Sequence, residues 1–261
     1  MDSFEKYEQK PDKAPFKSWE KSDIEGYSSE FFNLPEHPEL VIRKIMPLAV
    51  KEVDGKKTAK KAIEYWTEQS KIFQNFADKY GIRMAKTSYF VGNDPKFKSS
   101  VPKESRPVFM AATERIFGKN LRALNSIDEK ALTEIDAMFS GLFSSLYDAY
   151  NESGYTWTDF NNGQVMYGMA ENDAEPHVYI VDVDPLMKEW NESQQDFKEM
   201  NFWNYAFLVF SNMEELKKRI IGENKNFEKA ELALSKIISE MPEPADEKAK
   251  KLRFQIIDAR K

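Results

Sequence analysis

The sequence predicts an α+β protein of two lobes: a small β-rich N-terminal lobe with one long helix, and a larger helical C-terminal lobe. Three observations predict it. Short β-branched and aromatic runs dominate residues 23–113 and are interrupted by a single stretch of helical periodicity. A second long apolar stripe begins near Asp128, and beyond Pro185 the chain reads almost entirely as helix. Between those two regions, two strand-like runs flank a loop rich in acid and amide side chains.

The elements follow in order. Residues 1–22, rich in Lys, Glu, Pro and Ser, read as a flexible arm. Tyr27 to Phe32 and Glu39 to Met46 read as strands joined through Leu34-Pro35-Glu36-His37-Pro38. From Thr58 to Tyr80, residues Ile63, Trp66, Ser70, Phe73 and Ala77 recur at helical spacing, and Gly81 stands at the expected C-cap. Met84 to Val91 and Val108 to Thr113 are the next strands, and residues 114–121 form a connector, or hinge, to a C-terminal lobe of residues 122–261. A helix over Asp128 to Asn151 places Leu132, Ile135, Phe139, Leu142, Phe143, Leu146 and Tyr150 on its apolar positions. The loop 155–164 and a hairpin of Val165 to Met169 with Val178 to Val183 come next. Helices are expected at Phe197 to Phe210, Met213 to Ile221, Phe227 to Met241 and Asp246 to Ala259, with Pro242 and Pro244 parting the last two.

Composition narrows the function. A length of 261 residues suits one large domain or two lobes, and 19 Phe, 11 Tyr and 5 Trp supply core material. The aromatic cluster Trp190, Phe197, Phe202, Trp203, Tyr205, Phe207 and Phe210 reads as core. A net charge of -6 disfavours general nucleic-acid binding, which needs a cationic footprint. The absence of cysteine removes disulfides, thiolate metal sites and a cysteine nucleophile, and fits a reducing cytoplasm. His37 and His177 lack zinc-ligand spacing, and no segment has the apolar length of a signal peptide or a membrane span. The expectation is a cytoplasmic protein with no nucleic-acid or membrane partner.

The chemistry-bearing residues sit in Trp157-Thr158-Asp159-Phe160-Asn161-Asn162-Gly163-Gln164 and in Val178-Tyr179-Ile180-Val181-Asp182-Val183-Asp184-Pro185. An acid, an amide five residues on, and a second acid closing a β-branched run are what phosphoryl transfer needs to orient a hydroxyl and hold metal. The same residues also suit plain turn chemistry, since Asn and Gly accept positive φ and Asp bonds its own backbone. Upstream, Leu40-Val41-Ile42-Arg43-Lys44-Ile45-Met46 offers two adjacent cations on a strand, where successive side chains face opposite sides, so either Arg43 or Lys44 fits a phosphate-facing role.

This set resembles the protein-kinase-like superfamily, in particular its aminoglycoside-phosphotransferase-like branch. The loop is similar to the H-R-D-x-x-x-x-N pattern, which implies Asp159 as catalytic base and Gln164, or Asn161 or Asn162 in its place, as a metal ligand. The strand ending in Asp182 resembles the D-F-G region, with Val183 and Asp184 standing for Phe and Gly, and implies Asp182 and Asp184 as magnesium ligands. The basic strand resembles V-A-I-K, with Glu64 or Glu68 as the partner of Arg43 or Lys44. Gly26-Tyr27-Ser28-Ser29 stands where a phosphate-covering loop belongs, with one glycine only, so Ser28 and Ser29 would contact phosphate through hydroxyls. Phe109 to Leu121 resembles an inter-lobe hinge with its G-x-x-L, and implies adenine recognition by backbone near Glu114 and Ile116.

The resemblance therefore implies a bilobal protein-kinase-like fold that binds ATP and Mg2+ and transfers phosphate to a small hydroxylated molecule. The alternative, which the substituted boxes also suit, is a pseudokinase-like scaffold with a protein partner. No Ser/Thr-rich activation segment follows Pro185, which disfavours a regulated protein kinase.

Overall fold

The computed structural model describes residues 20–25, 29–45, 59–93, 107–152, 154–181, 187–190, 195–220 and 227–260. They fall into two compact units, one drawn from Met1–Lys71, Ala85–Phe117 and Ala170–Asn172, the other from Ile72–Met84, Gly118–Met169 and Asp173–Lys261.

The first unit is a five-stranded antiparallel sheet. Strands β1 (Glu20–Glu25), β2 (Ser29–Asn33), β3 (Leu40–Ile45), β5 (Thr87–Asn93) and β6 (Pro107–Glu114) lie in the order β1-β2-β3-β6-β5. The β2–β3 turn is closed by His37 N donating to Leu34 O at 3.0 Å and Leu40 N to His37 O at 3.1 Å. Register places Phe32 opposite Ile42 and Ile42 opposite Ala112. Their side chains share one face, so Phe32, Leu34, Leu40, Ile42, Phe90, Met110 and Ala112 form a single buried cluster. Strand β1, Glu-Lys-Ser-Asp-Ile-Glu, begins inside the span read as the arm. Its charged composition suits a sheet edge and hides the strand from a hydrophobic-pattern reading.

Helix α1 (Ala59–Lys79) ends as its spacing predicts: Gly81 takes φ 67° and Ile82 N reaches back to Ala77 O at 2.8 Å. The second unit is built on α2 (Glu129–Glu152), whose Ile135, Phe139, Leu142, Phe143 and Leu146 belong to one large core with Phe73, Phe76 and Ala77. Also in that core are residues of α3 (Gln195–Ile220), α4 (Glu228–Glu240) and α5 (Glu247–Asp258). Phe202, Trp203 and Phe210 are buried there, as expected of core aromatics. The sequence suggests two helices over Phe197–Ile221, but α3 runs unbroken. Asn212, at the expected break, donates from Nδ2 to Leu208 O at 2.9 Å and so stays within the helix.

Two small β elements complete this unit. A four-stranded sheet has the order β4-β10-β9-β7, made of β4 (Arg83–Met84), β10 (His177–Ile180), β9 (Val165–Met169) and β7 (Phe117–Asn120). A two-stranded ribbon pairs β8 (Gly154–Trp157) with β11 (Met187–Trp190). At four residues each, β7, β8 and β11 are too short to show a period of two. No described helix is long and apolar enough to cross a membrane.

Candidate active site

The loop from β8 to β9 is fixed by buried aromatics on both sides of its acid. Trp157 and Phe160 are 2% and 0% exposed, and their rings meet edge-on with centroids 5.2 Å apart. Phe160 also meets Phe139 of α2 at 5.7 Å. Burying side chains of this kind is worth about 1.5–3 kcal/mol each, so Asp159 is carried on an anchored segment while remaining part-exposed.

After Phe160 the backbone enters a short 3-10 turn, Asn162–Gln164, closed by a capping box. Asn161 Oδ1 accepts from Gly163 N at 2.9 Å, and Gln164 Oε1 accepts from Asn161 N at 2.7 Å. The other end of the same amide, Gln164 Nε2, donates to Asp159 Oδ2 at 3.4 Å. Asp159 and Gln164, predicted as base and metal ligand, are thus brought together. The Gln164 oxygen already serves the cap with one of its two lone pairs.

Asn161 and Asn162, the alternative metal ligands, have other work. Asn161 is the cap. Asn162 is fully buried; it donates from its backbone N to Asn212 Oδ1 at 3.0 Å and from Nδ2 to Asn212 O at 2.8 Å, which ties the loop to α3. Among the described residues its Oδ1 has no hydrogen-bond partner. No pattern in the sequence points to Asn212, because a tie across 50 residues leaves no local spacing to read.

The hairpin returns to this loop. Val165 pairs with Ile180 in register, and one residue further Val181 N donates to Gln164 O at 2.9 Å. Asp182 and Asp184 lie outside the described residues, but the two flanks of their segment do not. Val181 holds Gln164, and Met187 pairs with Trp157. The far end of β10 is held to α2: Glu134 takes His177 Nδ1 at 2.8 Å and Val178 N at 2.8 Å, and Lys130 Nζ donates to Pro176 O at 2.7 Å. Among the described residues no three His, Cys, Asp or Glu side chains gather around a common point.

The predicted residues of the first unit are placed as follows. Arg43 is part-buried, with its guanidinium 6.0 Å from the Phe31 ring centroid. Lys44 stands opposite Glu30 and Met110 in register, and Ser29 opposite Ile45; the side chains of both, like Ser28 entirely, lie outside the described residues. Glu64 and Glu68 are exposed on α1. At the end of β6, Glu114 N donates to Lys86 O at 2.8 Å, and Arg115 N to Glu39 O at 2.7 Å; Ile116 is buried. Arg115 Nη2 reaches Asn33 Oδ1 at 2.6 Å and Leu40 O at 3.3 Å, which fixes the exit from the sheet.

No protein-family model and no curated protein matches the chain. Among solved structures it is similar to the Rio2 kinase from Chaetomium thermophilum, at 9% identity and a TM-score of 0.42 over 98% of this chain and 76% of that one. The chain's own elements run from a β-rich N-terminal unit to a helical unit that carries a loop and a hairpin.

Proposed function

We propose that the chain is an ATP- and Mg2+-dependent phosphotransferase of the cytoplasm, acting on a small hydroxylated molecule in the manner of the aminoglycoside-phosphotransferase-like enzymes. The observation that carries this reading is the bond from Val181 N to Gln164 O, at 2.9 Å. It sets Val181, the residue before Asp182, beside the loop whose Gln164 touches Asp159, which supports a phosphoryl-transfer arrangement of these residues.

In this reading Asp159 orients the acceptor hydroxyl and takes its proton as the oxygen bonds to the γ-phosphorus of ATP and the bond to ADP breaks. Gln164, Asp182 and Asp184 would hold magnesium, which supplies charge neutralisation on the phosphates. Arg43 or Lys44, with Glu64, would serve phosphate binding. Ser28 and Ser29 would contact phosphate, and the backbone near Glu114 and Ile116 would read the adenine.

A second reading is a pseudokinase-like scaffold with a protein partner. It is favoured by one observation, the engagement of the Gln164 amide oxygen in the Asn161 cap. Thermal shift with ATP, with and without magnesium, followed by ADP release, decides between them. Magnesium-dependent stabilisation with turnover abolished in Asp159→Ala and Asp182→Ala supports the enzyme. Stabilisation without turnover supports the scaffold, and no stabilisation by ATP rejects the enzyme.

A further inference from the structure

Immediately after β7, Leu121–Ala123 forms a second 3-10 turn. It is firmly built: Leu121 is fully buried, Asn120 Oδ1 caps Ala123 N at 2.9 Å, and Arg219 of α3 donates through Nη1 to the carbonyl of Arg122. The side chain presented from this turn is Arg122, which is exposed. A Cβ placed on Gly163 would lie 3.3 Å from Arg122 Nη1 and 3.4 Å from its Cζ, so the guanidinium rests against the one residue of the candidate loop that has no side chain.

Other described arginines are engaged. Arg43 lies by Phe31, Arg83 bonds Tyr179, Arg115 bonds Asn33, Arg219 bonds Arg122 O, Arg253 bonds Ile238 O, and Arg260 pairs with Glu231. Arg122 alone among them makes no hydrogen bond, ion pair or ring contact through its guanidinium to any described residue. Gly163 and the two residues before it, Asn161 and Asn162, carry no acid. A guanidinium is a planar fork suited to an oxyanion with two oxygens, and here it is held on a fixed turn against Gly163, the residue before Gln164 in the candidate loop. In a chain of net charge -6 an anionic ligand requires a local cation of this kind.

We infer that Arg122 is a substrate-binding residue that reads an oxyanion, a phosphate or carboxylate group, on the hydroxylated acceptor. This names the acceptor's chemical class and rests on the phosphotransferase reading. The interaction itself is testable without turnover.

The test uses three hydroxylated probes that differ in charge: glycerol 3-phosphate, glycerate and glycerol. Each is titrated into the full chain and into Arg122→Ala and Arg122→Lys by calorimetry and thermal shift. One or both anionic probes should bind while glycerol does not, and the comparison of the two identifies phosphate or carboxylate as the recognised group. Binding should weaken about tenfold or more in Arg122→Ala, the loss expected for a charge-assisted hydrogen bond, and less in Arg122→Lys. The inference is overturned if neither anion binds, if glycerol binds as well as they do, or if Arg122→Ala binds them unchanged. ADP release is measured in parallel. Arg122-dependent binding without ATP turnover rejects the phosphotransferase reading and keeps the oxyanion site.

Discussion

Asn162 and Asn212 hold each other twice, side chain to main chain in both directions, at 2.8 and 3.0 Å, and this couples the Asp159 loop to the middle of α3. Both side chains are buried, so a lost partner is not replaced by water. Asn162→Ala should cost about 1–3 kcal/mol in urea unfolding. Asn212→Ala should cost a similar amount, and the double variant clearly less than the sum, because both remove one network. Additive losses would show that the two residues act separately.

Gly118 opens the stretch that resembles the G-x-x-L after a hinge, and its reason is steric. A Cβ there would fall on the carbonyl oxygen of Tyr167 and within 2.6 Å of Gly168 Cα, both of them backbone of β9. Gly118→Ala must push β7 from β9 and should destabilise by about 1–3 kcal/mol or more, the range for overpacking. Unchanged thermal stability would contradict this.

Asp159 and Gln164 should separate chemistry from support. Asp159→Asn keeps the side chain's size and should lower ATP turnover by about 10²–10⁴-fold while leaving magnesium-dependent ATP binding in place. Gln164→Ala removes the cap on Asn161 and should cost about 0.5–2 kcal/mol of stability whatever its role toward metal. Equal turnover in Asp159→Asn and the parent would remove Asp159 from the reaction.

Tyr179 donates to Asp173 Oδ2 at 2.6 Å. Burial, and after it the bond to Asp173, push its pKa from the ordinary 10.0 up to about 12, against a smaller opposing effect of Arg83. The folded chain therefore keeps a proton that the unfolded chain releases. The stability contributed is whole below pH 10.0 and disappears as the pH climbs towards about 12. Parent protein should lose more stability than Tyr179→Phe between about pH 9 and pH 11, measured by urea midpoints at each. Identical losses would refute this.

Much of this architecture is legible in residue order because it rests on period. The stripe through Ile135, Phe139, Leu142 and Leu146 marks α2, and Gly81 marks the end of α1 with the positive φ that its position requires. The apolar run Leu40-Val41-Ile42 marks β3, whose Leu40 and Ile42 are buried. What escaped notice has no period or too little length. Strand β1 is nearly all polar, and β8 and β11 are four residues each, stabilised by pairing with one another across about 30 residues of chain. In the candidate site, Asp159 and Gln164 are visible through their spacing. Asn212 and Arg122 are not, since each reaches the loop from a distant element through contacts that only folding creates.

The stretch between Val181 and Met187 is moored at both ends to the flanks of a single loop, to Gln164 on one side and Trp157 on the other. The ring closed by those two attachments is small, and closing a ring of chain costs entropy that grows with its length. Here folding itself meets that cost. A ligand captured by Asp182 or Asp184 would meet a segment whose two ends folding has already brought together, so affinity can be spent on the ligand's own charge.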